Sequence, residues 1–159
     1  MVLMVCTGNV CRSPLAAAIL RKKLAERGRD DIEVASAGTS AADGEPASEG
    51  SYLVALENGV DLSTHVARQL TTSDVDAADL VFGMSEHHVH RAAELGAAAR
   101  AHLLGHYAGS AGPDAVVEDP FGGDLREYRA TYQQLDGLLD RVAERLLRES
   151  GDRGAASQP

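Results

Sequence analysis

Val2-Leu3-Met4-Val5-Cys6-Thr7-Gly8-Asn9-Val10-Cys11-Arg12-Ser13-Pro14 stands at the head of the chain. Val2 to Cys6 is an unbroken apolar run of strand length, and Ser13-Pro14 supplies an N-cap and an N1 proline for a helix reaching about Arg27. Strand, loop and helix therefore follow one another within the first quarter of the sequence. Further on, Ile32 to Ser36 reads as a second strand. Pro46 to Asn58, with Leu53 and Leu56 apolar and Gly59 as a stop, reads as a helix. Leu80 to Met84 is a third buried strand followed by a helix through Leu95, and Ala101 to Leu104 is a short fourth strand. Strands alternating with helices predict a single α/β domain of three layers, a four-stranded parallel sheet with helices on both faces.

The last element is the clearest. Tyr128, Tyr132, Leu135, Leu139, Val142 and Leu146 draw one apolar stripe along a helix from about Leu125 to Arg148. Residues 1–149 are expected to form the domain, and the small, polar residues 150–159 a disordered tail.

Composition narrows the function. The chain has 159 residues, 44% hydrophobic and 25% charged, the balance of a globular protein. Aromatic residues are only 4% with no Trp, which leaves little for stacking platforms on nucleic acid or sugar. Fifteen basic against twenty-four acidic residues give a net charge of −9, unfavourable for nucleic acid and for anionic membranes, so any phosphate must be bound locally. The apolar start is too short for a secretory leader, and no run reaches the length of a membrane span. A cytoplasmic monomer is expected, with Cys6 and Cys11 kept as thiols for chemistry. Two cysteines make no zinc site alone. His87, His88 and His90 are expected to be solvated, since 87 and 88 face apart on a helix and no carboxylate completes a set. Neither metal nor cofactor is predicted.

Chemistry concentrates in Cys6-Thr7-Gly8-Asn9-Val10-Cys11-Arg12-Ser13. In an open parallel sheet, ligands bind at the carboxyl ends of strands, where a helix N-terminus presents unpaired N–H groups and a positive dipole. Gly8 lets the backbone turn its amides inward, Asn9 tolerates a left-handed conformation, and Arg12 offers a planar fork to two phosphate oxygens. The same field favours an ionised sulfur at Cys6, which below a bound phosphate is a nucleophile. A buried cysteine beside an ordinary surface arginine would be the plainer reading of the same letters. Placement after the first strand and before Ser-Pro argues for the cradle.

This stretch resembles the active-site signature of the low-molecular-weight protein tyrosine phosphatase family. The resemblance continues in order through Ser36-Ala37-Gly38-Thr39, Asp61 to Arg68 and Asp119-Pro120-Phe121. It implies phosphate-ester hydrolysis on phosphorylated proteins through a cysteinyl phosphate, without metal. It also implies Asp119 as general acid and base, and a hydrogen-bond network of Asn9, Ser13, Ser36 and His65 beneath the loop. Cys11 is either an apolar filler or, as the family favours, the partner of Cys6 in a reversible disulfide.

Substrate choice is read from what lines the way in. Tyrosine-type members carry an aromatic after Ser-Ala-Gly-Thr and two after Asp-Pro, whereas this chain has Ser40-Ala41-Ala42-Asp43 and Phe121-Gly122-Gly123. Asp-Pro-Phe-Gly-Gly resembles the bacterial protein arginine phosphatase branch. Val10 stands where that branch has threonine and the tyrosine type mostly isoleucine. Val10 and Phe121 are the expected substrate walls, and the balance leans to phosphoarginine over phosphotyrosine. The alternatives of another class are a non-catalytic phosphate-binding module and a dithiol redox protein of the arsenate reductase kind.

Overall fold

The computed structural model describes residues 1–156. Its sheet is formed by β1 (Val2–Cys6), β2 (Val34–Gly38), β3 (Leu80–Gly83) and β4 (Ala101–Leu103), in the spatial order β2-β1-β3-β4 with every pairing parallel. All five residues of β1 are buried because this strand is central and covered on both faces. Val2, Met4 and Cys6 face one core, with α1 (Arg12–Glu26) and α6 (Leu125–Ala156) over it. Leu3 and Val5 face the other, which is closed by α3 (Thr72–Ala77) and α4 (Glu86–Ala92). Two short helices complete the set, α2 (Glu49–Glu57) and α5 (Leu104–Tyr107).

The α6 stripe lands where its spacing places it, with Tyr128, Tyr132, Leu135, Leu139, Val142 and Leu146 all buried. α6 lies against α1, and Lys23 of α1 reaches Asp136 and Asp140 of α6 at 2.8 and 2.7 Å. The helix continues past Arg148 to Ala156, and the Arg153 side chain folds back along it to donate from Nε to the Glu149 carbonyl at 3.4 Å. The disordered tail expected from residue 150 is therefore helix as far as 156. Residues 157–159 lie outside the described residues.

Other boundaries also differ from the sequence reading, and those next to the loop have a visible cause. β2 is shifted by two residues, because Ile32 is held in a turn by its N–H to the Arg29 carbonyl and pairing with β1 carries the strand on to Gly38, opposite Cys6. α2 begins at Glu49 rather than Pro46, since the Ser48 N–H is drawn instead to the carbonyl of Val10 at 2.9 Å. α1 begins at Arg12, with Cys11 as the N-cap residue, so Ser13 lies inside the helix. Its hydroxyl is used elsewhere.

Candidate active site

Cys6 ends β1 and Arg12 begins α1, so the loop between them lies at the carboxyl edge of the sheet against a helix N-terminus. Asn9 is the sole non-glycine residue with positive φ among the described residues, at 56°. Such a conformation persists only when its surroundings hold it. Four hydrogen bonds do so. The Asn9 side-chain amide donates to Ser13 Oγ at 2.8 Å and to Ser36 Oγ at 2.9 Å, and its Oδ1 accepts from the Arg68 N–H at 3.0 Å. Its backbone carbonyl accepts from His65 Nε2 at 2.7 Å. Burial pushes the His65 ring pKa down, against the opposing pull of the bond to the Asn9 carbonyl. The sequence reading brought Asn9, Ser13, Ser36 and His65 together, and here they are in direct contact.

The network has a direction. Both hydrogens of the Asn9 amide point outward from it, so Ser13 Oγ is an acceptor there and its own hydrogen is left for Cys6 Sγ, 2.9 Å away.

Arg12 is almost wholly enclosed, its side chain 5% exposed. One terminal nitrogen, NH1, donates to the Val117 carbonyl at 3.1 Å and to Ser85 Oγ at 3.4 Å. The other, NH2, lies 3.6 Å from Asp119 Oδ2. Nε is buried and has no hydrogen-bond partner, the one such side-chain nitrogen or oxygen among the described residues. An orphaned buried donor costs about 1 to 3 kcal/mol, which an oxyanion bound edge-on to the guanidinium would offset. Asp119 sits on the segment between α5 and α6. Its other oxygen, Oδ1, accepts the Phe121 N–H at 3.0 Å, which aims the carboxylate across the gap.

These groups share a cleft of about 530 Å³ with Cys6, Thr7, Val10 and Cys11 on its floor. Ser40, Ala42, Glu45, Ala47 and Phe121 stand around its mouth. Phe121 is the only aromatic in that lining and is 69% exposed. Cys11 Sγ donates to Ser48 Oγ at 3.1 Å and lies 3.6 Å from the Tyr128 hydroxyl. Burial pushes the Cys11 thiol pKa up, against the opposing pull of the Ser48 and Tyr128 contacts. Two free thiols with different surroundings thus meet one cleft.

His88 corrects the sequence reading. His87 and His90 are exposed, but His88 is fully buried, with Nε2 2.9 Å from Thr7 Oγ1 and Nδ1 accepting from the Ser85 N–H at 3.0 Å. The first turn of α4 lies beside the loop, so its third residue points inward. Ser85 three residues before His88, in capping-box spacing, was the available signal. The reading also missed Ser85 and Val117 as supports of Arg12, and Ser48 and Tyr128 as neighbours of Cys11. Among the described residues no three His, Cys, Asp or Glu side chains are grouped to hold a metal, and no helix is long and apolar enough to cross a membrane.

The family model described as low molecular weight phosphotyrosine protein phosphatase matches residues 1–152. The chain is 38% identical to a protein-arginine-phosphatase of Geobacillus stearothermophilus over 148 residues, covering 93% of this chain and 97% of that one. It is 35% identical to the low molecular weight protein-tyrosine-phosphatase PtpB of Staphylococcus haemolyticus over 139 residues, covering 87% and 94%. Its fold matches the structure of a cysteine-to-serine mutant of YwlE arginine phosphatase with a phosphorylated active-site serine. The TM-score is 0.85 at 33% identity, covering 91% of this chain and 94% of that one. With a family match over nearly its whole length and a loop, sheet order and cleft to go with it, the chain belongs to the low molecular weight phosphotyrosine protein phosphatase family and is a protein phosphatase.

Proposed function

We propose that this phosphatase works through a cysteinyl phosphate formed on Cys6, and that phosphoarginine is its preferred substrate over phosphotyrosine. The observation that carries the phosphoryl site is the buried, unpartnered Nε of Arg12, a residue that lines the same cleft as Cys6. Arg12 Nε and NH2 hold two phosphoryl oxygens, and backbone N–H groups of the loop Thr7 to Ser13 hold the rest. The Cys6 thiolate attacks phosphorus, and the bond from phosphorus to the leaving atom breaks. Asp119 gives its proton to that atom, a guanidine nitrogen or a phenol oxygen. Water then attacks the phosphocysteine, Asp119 takes the proton, and inorganic phosphate leaves with the thiolate restored. Ser13 stabilises the sulfur both before attack and as it departs. The serine phosphorylated in the YwlE mutant supports a covalent step at the equivalent position.

The substrate preference draws on the cleft mouth. A single exposed aromatic, Phe121, faces Ser40, Ala42 and Ala47, which is scant wall for a phenyl ring but room for a planar guanidinium. The 38% identity to a protein-arginine-phosphatase points the same way. Glu45 adds negative charge near the entry, favourable to a cationic group. The enzyme acts on phosphorylated proteins as a cytoplasmic monomer, with neither metal nor cofactor.

Rates on matched phosphoarginine and phosphotyrosine peptides test the preference. A higher kcat/KM on phosphoarginine is expected, and the opposite order assigns phosphotyrosine. Cys6→Ser abolishes turnover while vanadate still binds. Turnover surviving that change would exclude the covalent route, and turnover of disulfide substrates alone would favour a dithiol redox protein.

A further inference from the structure

His88 has both ring nitrogens engaged, and their partners fix its proton. The Ser85 N–H donates to Nδ1 at 3.0 Å, so Nδ1 carries no hydrogen and Nε2 does. Nε2 is therefore the donor in its 2.9 Å contact with Thr7 Oγ1. A hydroxyl that accepts from a ring N–H keeps its own hydrogen for another partner. Thr7 directly follows Cys6 and lines the cleft. The other acceptor near that hydroxyl, His87 Nε2, is at 3.5 Å, the outer edge of bonding distance. Ser85 meanwhile accepts from Arg12 NH1 at 3.4 Å. One buried ring thus joins the residue after the nucleophile to a residue that touches the guanidinium.

We propose that His88 is a positioning residue for phosphoryl binding. It holds Thr7 Oγ1 from behind as an acceptor, so that the Thr7 O–H donates to a phosphoryl oxygen in the cleft, and it fixes Ser85 against Arg12. The proposal rests on the loop's being the phosphoryl site. Burial, with the charges of His87 and Arg12 adding to it, pushes the His88 ring down to about 3, so the arrangement persists across the working range of pH.

Two amides separate the two bonds. Asparagine places Oδ1 where Nδ1 stands, which keeps the Ser85 bond and loses Thr7. Glutamine places Nε2 where the ring's Nε2 stands, which keeps Thr7. The probe is vanadate as a competitive inhibitor. His88→Asn is expected to weaken vanadate inhibition about tenfold, the upper range for one hydrogen bond, and His88→Gln by less than about threefold. Thr7→Val is expected to match the Asn variant at about tenfold, while Thr7→Ser, which keeps the hydroxyl, stays within about threefold. In a Thr7→Val background the Asn and Gln variants should bind vanadate alike. Equal effects of Asn and Gln in the native background, or a difference that survives Thr7→Val, would overturn the proposal. Should the histidine variants fail to fold, equal vanadate affinity of Thr7→Val and Thr7→Ser overturns it. A native enzyme that binds no vanadate would instead overturn the reading of the loop.

Discussion

Asp119 and Arg12 meet across the mouth of the cleft, with the carboxylate Oδ2 3.6 Å from a guanidinium nitrogen, NH2, that is one of the two proposed to grip phosphate. The carboxylate is half-exposed and the guanidinium almost enclosed, so the aspartate is the partner free to turn away when an anion arrives. Its bond from the Phe121 N–H keeps it over the entry after it does.

Asp119→Asn should therefore cost about 10² to 10⁴ in turnover on substrates with poor leaving groups, the usual worth of a positioned acid, and less on activated aryl phosphates. Steady-state rates on a phosphopeptide and on an activated aryl phosphate check this. Equal losses on both would make Asp119 a structural residue of the loop.

Ser13→Ala removes the one hydroxyl hydrogen aimed at Cys6 Sγ and leaves an Asn9 donor unpaired. Alkylation of Cys6 by iodoacetate at neutral pH should slow by about tenfold, in line with a charge-assisted hydrogen bond. Unchanged alkylation would mean that the hydroxyl does not favour the thiolate.

Cys11, its thiol pKa pushed up by burial, lines the same cleft as Cys6. Peroxide takes the Cys6 thiolate to the sulfenic acid, and the Cys11 sulfur then displaces water from it to form a disulfide that thiol reductants reverse. Peroxide inactivation should be reversed by dithiothreitol in the native enzyme and not in Cys11→Ser. Equal recovery would reduce Cys11 to packing.

Val10 lines the cleft floor with two methyl groups and no hydroxyl. Leaving a guanidinium N–H unpaired in a desolvated site costs about 1 to 3 kcal/mol, so Val10→Thr should raise the ratio of phosphoarginine to phosphotyrosine turnover. Val10→Ile should lower it through crowding and added apolar contact for a ring. Identical ratios in all three proteins would show that this position does not read the substrate.

His88 also gives the fold an acid limit. Its ring titrates near the ordinary 6.5 when the chain is unfolded and is pushed down to about 3 in the fold by burial, then by His87 and Arg12. Below pH 6.5 the unfolded chain takes up a proton that the native state refuses, so stability is complete above that value and falls as pH drops toward 3. By pH 4 the loss from this group reaches about 3 kcal/mol. Denaturant unfolding at pH 7 and pH 4 should show a smaller difference for His88→Gln than for the native chain. An equal difference would mean that the buried ring is protonated in the fold.

The loop and its architecture were legible because they are local. Five apolar residues, a glycine-bearing turn and a helix start specify strand, cradle and dipole within one short segment, and Asn9 and Ser13 lie within it. His65 and Ser36 came from the resemblance, and so did Asp119. What stayed hidden depends on distant parts of the chain meeting. His88 read as solvated because it shares no helix face with His87 and no carboxylate completes a set with it, and only the placement of α4 against the loop turns its ring inward. Val117, Ser48 and Tyr128 carry no chemical signature of a site, and Ser85 has only its spacing to His88. Ser13 read as an N-cap because Ser-Pro favours that role, yet the hydroxyl is engaged by Asn9 and Cys6 and the helix starts one residue before it. At the far end, nothing local marked that α6 would run through Gly151.

The cleft is divided between a floor that is sealed and a rim that is not. Asn9, Ser13 and Ser36 are buried and bonded to one another and Arg12 is buried against Val117 and Ser85, whereas Ala42, Glu45 and Phe121 are exposed. Exchanges at exposed positions usually shift stability by less than about 0.5 kcal/mol, while each buried member of the floor is tied to others that would have to change with it. The rim is thus free to vary under selection for new phosphorylated partners while the reaction beneath it is inherited intact. Relatives of comparable identity that bear arginine-phosphatase and tyrosine-phosphatase names are what such a division of labour would leave behind.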